Sequence, residues 1–276
     1  MSSPDLDTLF GDVRSALDAP PTPRNWDALC DVLAPVPASD AFAERLAPYL
    51  HAHLDAWPDH IRCAPRQWLR QDRLRTHAHL LAFSRHVWLR RASLTHRGFA
   101  RILDAWGDHP ITFLDFEDCR KLGSHAAVAL AESPHAATLR HLNLNLCGIQ
   151  PDGFRALAAL SSELDYVDLS YNSASNGALG PWIRSGSLNQ ARYVHFNHCN
   201  LSSADVLDLC ALLVQGRVAT LELRGSELTV PDAQRLVALP WAASPLVTLD
   251  LGLLDAPPRA IELLRATSSL KGKLRV

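Results

Sequence analysis

Lysine is scarce in this chain of 276 residues, occurring only at positions 121, 271 and 273, while arginine, alanine and proline abound. That bias points to a GC-rich bacterial genome and tempers any argument from arginine abundance alone. Net charge is also small. At −2, with a sequence pI of about 6.7, it implies no general attraction to nucleic acid or to an anionic membrane. No apolar run is long enough to cross a bilayer. The opening MSSPDLDTLF lacks the basic stretch and apolar core of a signal peptide. Six cysteines are present (Cys30, Cys63, Cys119, Cys147, Cys199 and Cys210), and none forms a CxxC pair, which disfavours zinc and disulfide frameworks. A reducing cytoplasm is the expected compartment. GxSxG, HExxH, the P-loop and GxGxxG are all missing, so neither an enzyme activity nor a cofactor is expected.

What the chain does contain is a repeat. Take a template with apolar residues at positions 1, 4 and 6, a small or amide residue at 9, and an apolar residue one or two places later. It fits Leu139-Leu142-Leu144-Cys147-Ile149, Leu164-Val167-Leu169-Asn172-Ala174, Ala191-Val194-Phe196-Cys199-Leu201 and Val218-Leu221-Leu223-Ser226-Leu228. Ile111-Leu114-Phe116-Cys119-Leu122 matches with one extra residue. Weaker copies start at Ser84 and at Leu246, where Leu254 replaces the polar residue. Starts at 84, 111, 139, 164, 191, 218 and 246 lie 25 to 28 residues apart, the spacing of a solenoid.

This pattern resembles the leucine-rich repeat family in its longer cytosolic subtype, similar to ribonuclease inhibitor. The resemblance covers residues 84–276. It implies an α/β fold: a right-handed solenoid with a parallel β-sheet inside and helices outside. Positions 4 and 6 alternate as a short strand with one buried face, predicting strands at 87–89, 114–116, 142–144, 167–169, 194–196, 221–223 and 249–251. A Cys, Asn or Ser at position 9 can bond backbone groups where the chain leaves the strand. Helices are expected after Pro151-Asp152, Ser202-Ser203 and Pro231-Asp232. The small, polar run SASNGALG (173–180) predicts a late or short helix in its repeat. Leu274 and Val276 fit positions 4 and 6 of a truncated eighth repeat, with Lys273 and Arg275 as a charged guard.

Residues 1–83 do not follow the template. They read as an all-α region: a helix opened by Ser3-Pro4 with Leu6, Leu9, Phe10, Val13 and Leu17 on one face, a second around Trp26, Leu29, Cys30 and Leu33, and a third from about Asp40 to Trp57. The His51/His53 and His77/His79 pairs read as surface histidines. The region suits a helical cap on the solenoid, or a separate module that binds a partner.

By the template, positions 3, 5 and 7 face the concave side. An aromatic row at position 3 (Phe113, His141, Tyr166, Tyr193), beside Trp88, is the candidate partner-binding surface, because exposed rings dominate interface energetics. Position 5 adds a more acidic row, Asp115, Asp168, His195 and Glu222, which would favour a partner with arginine or lysine groups or else form an ordinary solvated face. Asp168, His195 and Glu222 on successive strands could also grip a divalent metal. The expected function is non-catalytic binding of another protein by a cytoplasmic monomer. The alternatives are a regulator of an enzyme (an inhibitor or a GTPase activator, with Arg90, Arg91 or Arg224 available) and a scaffold in a bacterial complex. Thiol titration of the denatured protein under non-reducing conditions is expected to find all six cysteines reactive. Fewer than four would contradict the reducing compartment.

Overall fold

A three-residue strand followed by a helix recurs along the chain from residue 86 in the computed structural model. It describes residues 6–252 and 256–276. The expected helix start at Ser3-Pro4, the side chain of Leu6, and Leu254 lie outside the described residues. The strands are β1 (His86–Trp88), β2 (Phe113–Asp115), β3 (His141–Asn143), β4 (Tyr166–Asp168), β5 (Tyr193–His195), β6 (Thr220–Glu222), β7 (Thr248–Asp250) and β8 (Leu274–Arg275). They lie in sequence order in one parallel sheet. The helices are α1 (Leu6–Leu17), α2 (Pro23–Leu33), α3 (Ala47–Leu54), α4 (Leu74–Leu81), α5 (His96–Trp106), α6 (Gly123–Ala131), α7 (Pro151–Leu157), α8 (Gly180–Ser185), α9 (Ser203–Leu213), α10 (Val230–Val237) and α11 (Pro258–Ala266). None among the described residues is long and apolar enough to cross a membrane. The chain divides into two compact units, residues 1–88 with 101–114, and residues 89–100 with 115–276.

In the first unit, apolar spacing on α1 and α2 buries Leu9, Val13, Trp26, Leu29 and Leu33. Thr22 caps α2 by accepting from the Asn25 N–H at 3.2 Å, and Pro23 sits where its missing N–H costs nothing. The Trp26 indole donates to the Cys63 carbonyl at 2.7 Å. Residues 1–83 are not the purely helical region expected. Cys63 makes a parallel bridge to His86, and β1 belongs to the same unit. Nor are all the paired histidines on the surface. His77 is buried with its ring stacked on Trp68, and the His79 Nε2 lies 3.0 Å from the Val36 carbonyl. Their apolar neighbours give each ring a packed surface and a backbone partner, so an imidazole serves as core material.

In the second unit the register aligns equivalent positions: His141 beside Tyr166, Tyr166 beside Tyr193, and Tyr193 beside Thr220. Strands β3 to β7 each begin one residue earlier than the apolar template predicts, at position 3, whereas β8 begins at position 4. Positions 4 and 6 form the core: Leu142, Leu144, Val167, Leu169, Val194, Phe196, Leu221 and Leu223 are all at most 1% exposed. Position 9 does what its chemistry suggests. The thiols of Cys119, Cys147 and Cys199 donate to the Leu89, Phe116 and Leu169 carbonyls at 3.0, 3.1 and 3.2 Å. The Asn172 amide donates to the Leu144 and Leu169 carbonyls, both at 2.8 Å, and its oxygen accepts from the Cys147 and Ile149 N–H groups. Each of these side chains replaces water for backbone groups that burial has stripped of it.

Helix starts follow their signals. Ser202 with Asp205 and Thr229 with Asp232 form reciprocal capping boxes at α9 and α10. The small, polar run does shorten its helix: α8 has only six residues, anchored by the fully buried Trp182. β8 pairs with β7, placing Leu274 beside Leu249, as the truncated repeat requires. Lys273 is not a solvated guard, because its ammonium donates to the Trp241 and Ser244 carbonyls at 3.2 and 3.3 Å.

Leu144→Asp would place an unpaired charge in this stack. The expected loss is about 4 kcal/mol or more. Thermal unfolding should show a Tm lowered by roughly 10 °C or beyond. A variant melting within a degree or two of the parent would mean that position 144 is not sealed in the core.

Candidate functional site

Because side chains alternate along a strand, sealing positions 4 and 6 in the core turns positions 3 and 5 to the other face of the sheet. At position 3 in the second unit, His141, Tyr166 and Tyr193 are half-buried. The His141 and Tyr166 rings stack with centroids 4.1 Å apart and planes 5° from parallel. Tyr193 lies 6.3 Å further on, and His195 meets Tyr166 edge-on at 5.3 Å. The Arg192 guanidinium sits 5.6 Å from the Tyr193 ring centre. The aromatic row is therefore continuous over β3, β4 and β5. In the first unit, Phe113 is half-buried and stacked on His86 at 4.5 Å, while Trp88 is 55% exposed.

Most of the position 5 row is not an ordinary solvated face. Asp115, Asn143, Asp168 and Asp250 are buried, whereas His195 and Glu222 are partly open. The cause is a set of donors from two directions. From the same strand end, the backbone N–H of position 7 donates to the position 5 oxygen: Glu117 to Asp115 at 3.1 Å, Asn145 to Asn143 at 3.0 Å, and Ser170 to Asp168 at 2.9 Å. From the preceding repeat, a position 7 side chain reaches forward. Arg90 donates twice to Asp115 (2.9 and 2.6 Å), and Arg224 twice to Asp250 (2.9 and 2.7 Å). The Asn145 amide donates to Asp168 at 3.3 Å, and the Asn197 amide to Glu222 at 2.8 Å. With these bonds the carboxylates can leave water, since charge-assisted bonds are about twice as strong as neutral ones.

The three residues considered for a metal do not converge. Asp168 and His195 approach, with Nδ1 3.8 Å from Oδ2, but the Glu222 carboxylate is held by Asn197. Among the described residues no group of three His, Cys, Asp or Glu side chains could hold a metal ion. Arg90 and Arg224 are likewise engaged with Asp115 and Asp250, instead of reaching out of the sheet as an activator's arginine would.

Electrostatics follow burial. Desolvation pushes the His141 imidazole down to about 4, against the opposing pull of Asp115, so the stacked ring is neutral at pH 7. Desolvation also raises the Tyr166 phenol, reinforced by Asp168, whose Oδ2 is 3.5 Å from the hydroxyl. For Asp168 itself, desolvation acts to raise the pKa. His195 and the Ser170 N–H and hydroxyl outweigh it, and the carboxyl ends below its ordinary value.

Two features escaped the sequence reading. One is the donor set, Arg90, Asn145, Asn197 and Arg224. Its signal is a donor at position 7 followed, one repeat later, by an acid at position 5. The other is the stacking of the rim residues Tyr171 and His198 at position 8, with ring centroids 4.9 Å apart and Tyr171 52% exposed. No family model matches this chain, and no curated protein is similar enough to it to count as a match.

A test of the stacked pair follows from linkage. His141 has a folded pKa below its unfolded one, so the unfolded chain binds more protons between pH 6.5 and 4, and stability falls as pH falls through that window. The depressed Asp168 acts in the same direction at lower pH. His141→Phe keeps the stacking and removes the titration. Denaturant unfolding at pH 6.5 and 4.5 should show the variant losing roughly 2 kcal/mol less than the parent. Equal losses would mean that the imidazole is solvated.

Proposed function

We propose that the chain is a leucine-rich repeat solenoid over residues 84–276, that residues 1–83 cap it, and that it binds a partner protein without catalysis through the inner face of its sheet. Recurrence of strand and helix at a 25 to 28 residue period, in parallel register, supports the solenoid. The observation that carries the binding reading is the row of His141, Tyr166 and Tyr193, partly open on the sheet, with His198 and the more exposed Tyr171 at its rim. Partly exposed aromatic rings on a rigid sheet are the kind of anchor that dominates binding energy once a partner excludes water. The proposed partner is a protein, with neither nucleic acid nor membrane involved. The chain is proposed to act as a cytoplasmic monomer.

The experiment is affinity capture from the native host, identification of the partner by mass spectrometry, and calorimetry with the purified pair. Tyr166→Ala combined with Tyr193→Ala should weaken binding at least about 30-fold, since hot-spot truncations typically cost about 2 kcal/mol or more. Melting should fall by no more than a few degrees. Normal binding by the double variant, with loss on substitution in residues 1–83, would make the amino-terminal region the recognition element.

A further inference from the structure

Charge in the first hundred residues is segregated along the chain. Residues 1–60 carry ten acidic side chains against three arginines, whereas residues 61–103 carry ten arginines against one acid, Asp72. A codon bias toward arginine would add arginines everywhere, but it would not strip carboxylates from one stretch. Folding concentrates part of this excess within the first unit, where Arg66, Arg70, Arg73, Arg75 and Arg101 are all exposed. Asp72 neutralises Arg70, with contacts of 3.2 and 3.4 Å. Arg101 reaches the neutral Gln71 at 3.4 Å. Among the described residues, no carboxylate lies within ion-pair distance of Arg66, Arg73, Arg75 or Arg101.

Two of these arginines flank a groove. It has a volume of 530 Å³ and lies between α4 and the carboxyl-terminal part of α5. Leu74, Ala78 and Ala105 contribute apolar surface, Arg75 and Arg101 supply guanidinium groups, and Asp104 is its one carboxylate. A second groove, of 380 Å³, carries Arg70 and Arg73 beside Ala34 and Pro35. Planar guanidinium groups match carboxylates with two parallel bonds, which a lysine cannot do. An apolar strip between such groups fits a short amphipathic segment whose apolar side chains enter while its acids meet the arginines.

We infer that the groove between α4 and α5 is a docking site for an acidic, amphipathic peptide segment of a partner protein, with Arg75 and Arg101 as its charge anchors. Charge complementarity and the apolar strip choose this occupant over two others. A single-stranded nucleic acid would need aromatic platforms for its bases, and no aromatic side chain lines the groove between α4 and α5. An anionic membrane would need large exposed apolar anchors. Among the described residues these are Trp88, Tyr171 and Val247, none of which lines the grooves. The inference does not depend on the sheet face being a binding surface.

The test uses the full chain and four probes: fluorescein-labelled peptides EELLEE, EESSEE and KKLLKK, and a 12-nucleotide single strand of mixed sequence. Vesicles of phosphatidylcholine with phosphatidylserine form a fifth arm, read by co-sedimentation. EELLEE is expected to bind most tightly by fluorescence anisotropy, with EESSEE at least 5-fold weaker and KKLLKK not binding. Arg75→Glu with Arg101→Glu should weaken EELLEE at least 10-fold, and Arg75→Gln with Arg101→Gln by less. Arg259→Glu, an exposed change on α11 in the second unit, should leave binding as it was. Equal affinity of the Arg75→Glu, Arg101→Glu variant for EELLEE would overturn the proposal. So would equal binding of EELLEE and EESSEE, or tighter binding of the oligonucleotide or vesicles. Concentration-dependent self-association in sedimentation that the double variant abolishes would also overturn it, by making a second copy of this chain the occupant.

Discussion

A carboxylate taken out of water must be met by donors in fixed places, and that requirement organises the polar face of the second unit. Asp115, Asp168 and Asp250 lie buried on the sheet, where removing the partner of a buried charge costs roughly 3–5 kcal/mol. Each is met from the preceding repeat, Asp115 by Arg90, Asp168 by Asn145 and Asp250 by Arg224, while the half-exposed Glu222 is met by Asn197. Where position 7 offers no such donor, the next repeat carries no acid. Glu117 precedes Asn143, and Ser170 precedes His195, with the Ser170 hydroxyl accepting from the Asn197 N–H instead. Register follows from this matching. A strand displaced by one residue would lose every such donor while also turning its apolar positions out of the core. The apolar stack supplies the driving force for pairing, and the polar ladder selects one pairing among several.

The parallel sheet and most helix starts were legible in the sequence because they rest on patterns within one repeat. Period-2 alternation marks Leu142 and Leu144 as one face, and Ser202-Ser203 or Pro231-Asp232 marks a helix start, although the Thr229 cap went unread. The state of the polar face was not legible in the same way. Alternation says which way Asp115 points; it does not say whether water or Arg90 will be there. That information lies in a comparison between residues 23 to 26 positions apart, which an apolar template does not make. The amino-terminal histidines illustrate the same limit. Two imidazoles two residues apart on a helix diverge, as expected, but divergence does not imply exposure when one of them meets Trp68.

Whole-chain composition hid a further feature. A net charge of −2 is the sum of an acidic stretch and a basic one, and a sum conceals the order of its parts. The arginine-lined grooves of the first unit arise from that order. Trp26, Trp68, Leu74 and Leu80 occupy the interior of that unit, so the guanidinium groups on the same segments are left to the surface.

The exits from the strands show how backbone strain and surface chemistry combine. Position 8 is left-handed in six successive repeats: Arg91, Asp118, Leu146, Tyr171 and His198 with φ between 52° and 58°, and Gly225 at 76°. For residues other than glycine this conformation costs roughly 1–2 kcal/mol each, a large sum beside a total stability of about 5–15 kcal/mol. The surrounding bonds hold it. The position 8 N–H donates to the position 7 carbonyl of the next repeat, as Leu146 does to Ser170 at 2.9 Å and Tyr171 to Asn197 at 2.7 Å, and the position 9 side chain closes the turn. Glycine would satisfy the backbone at lower cost at every one of these places, yet it appears at 225, where an added Cβ would lie 2.5 Å from the His198 ring. His198 therefore takes the space over Gly225 and presents its face to Tyr171. Backbone preference explains Gly225; it does not explain a tyrosine at 171 with half its surface in water. Tyr171 stands at the rim of the face on which His141, Tyr166 and Tyr193 already stack, and under the proposed binding role it extends toward solvent the surface that a partner would cover.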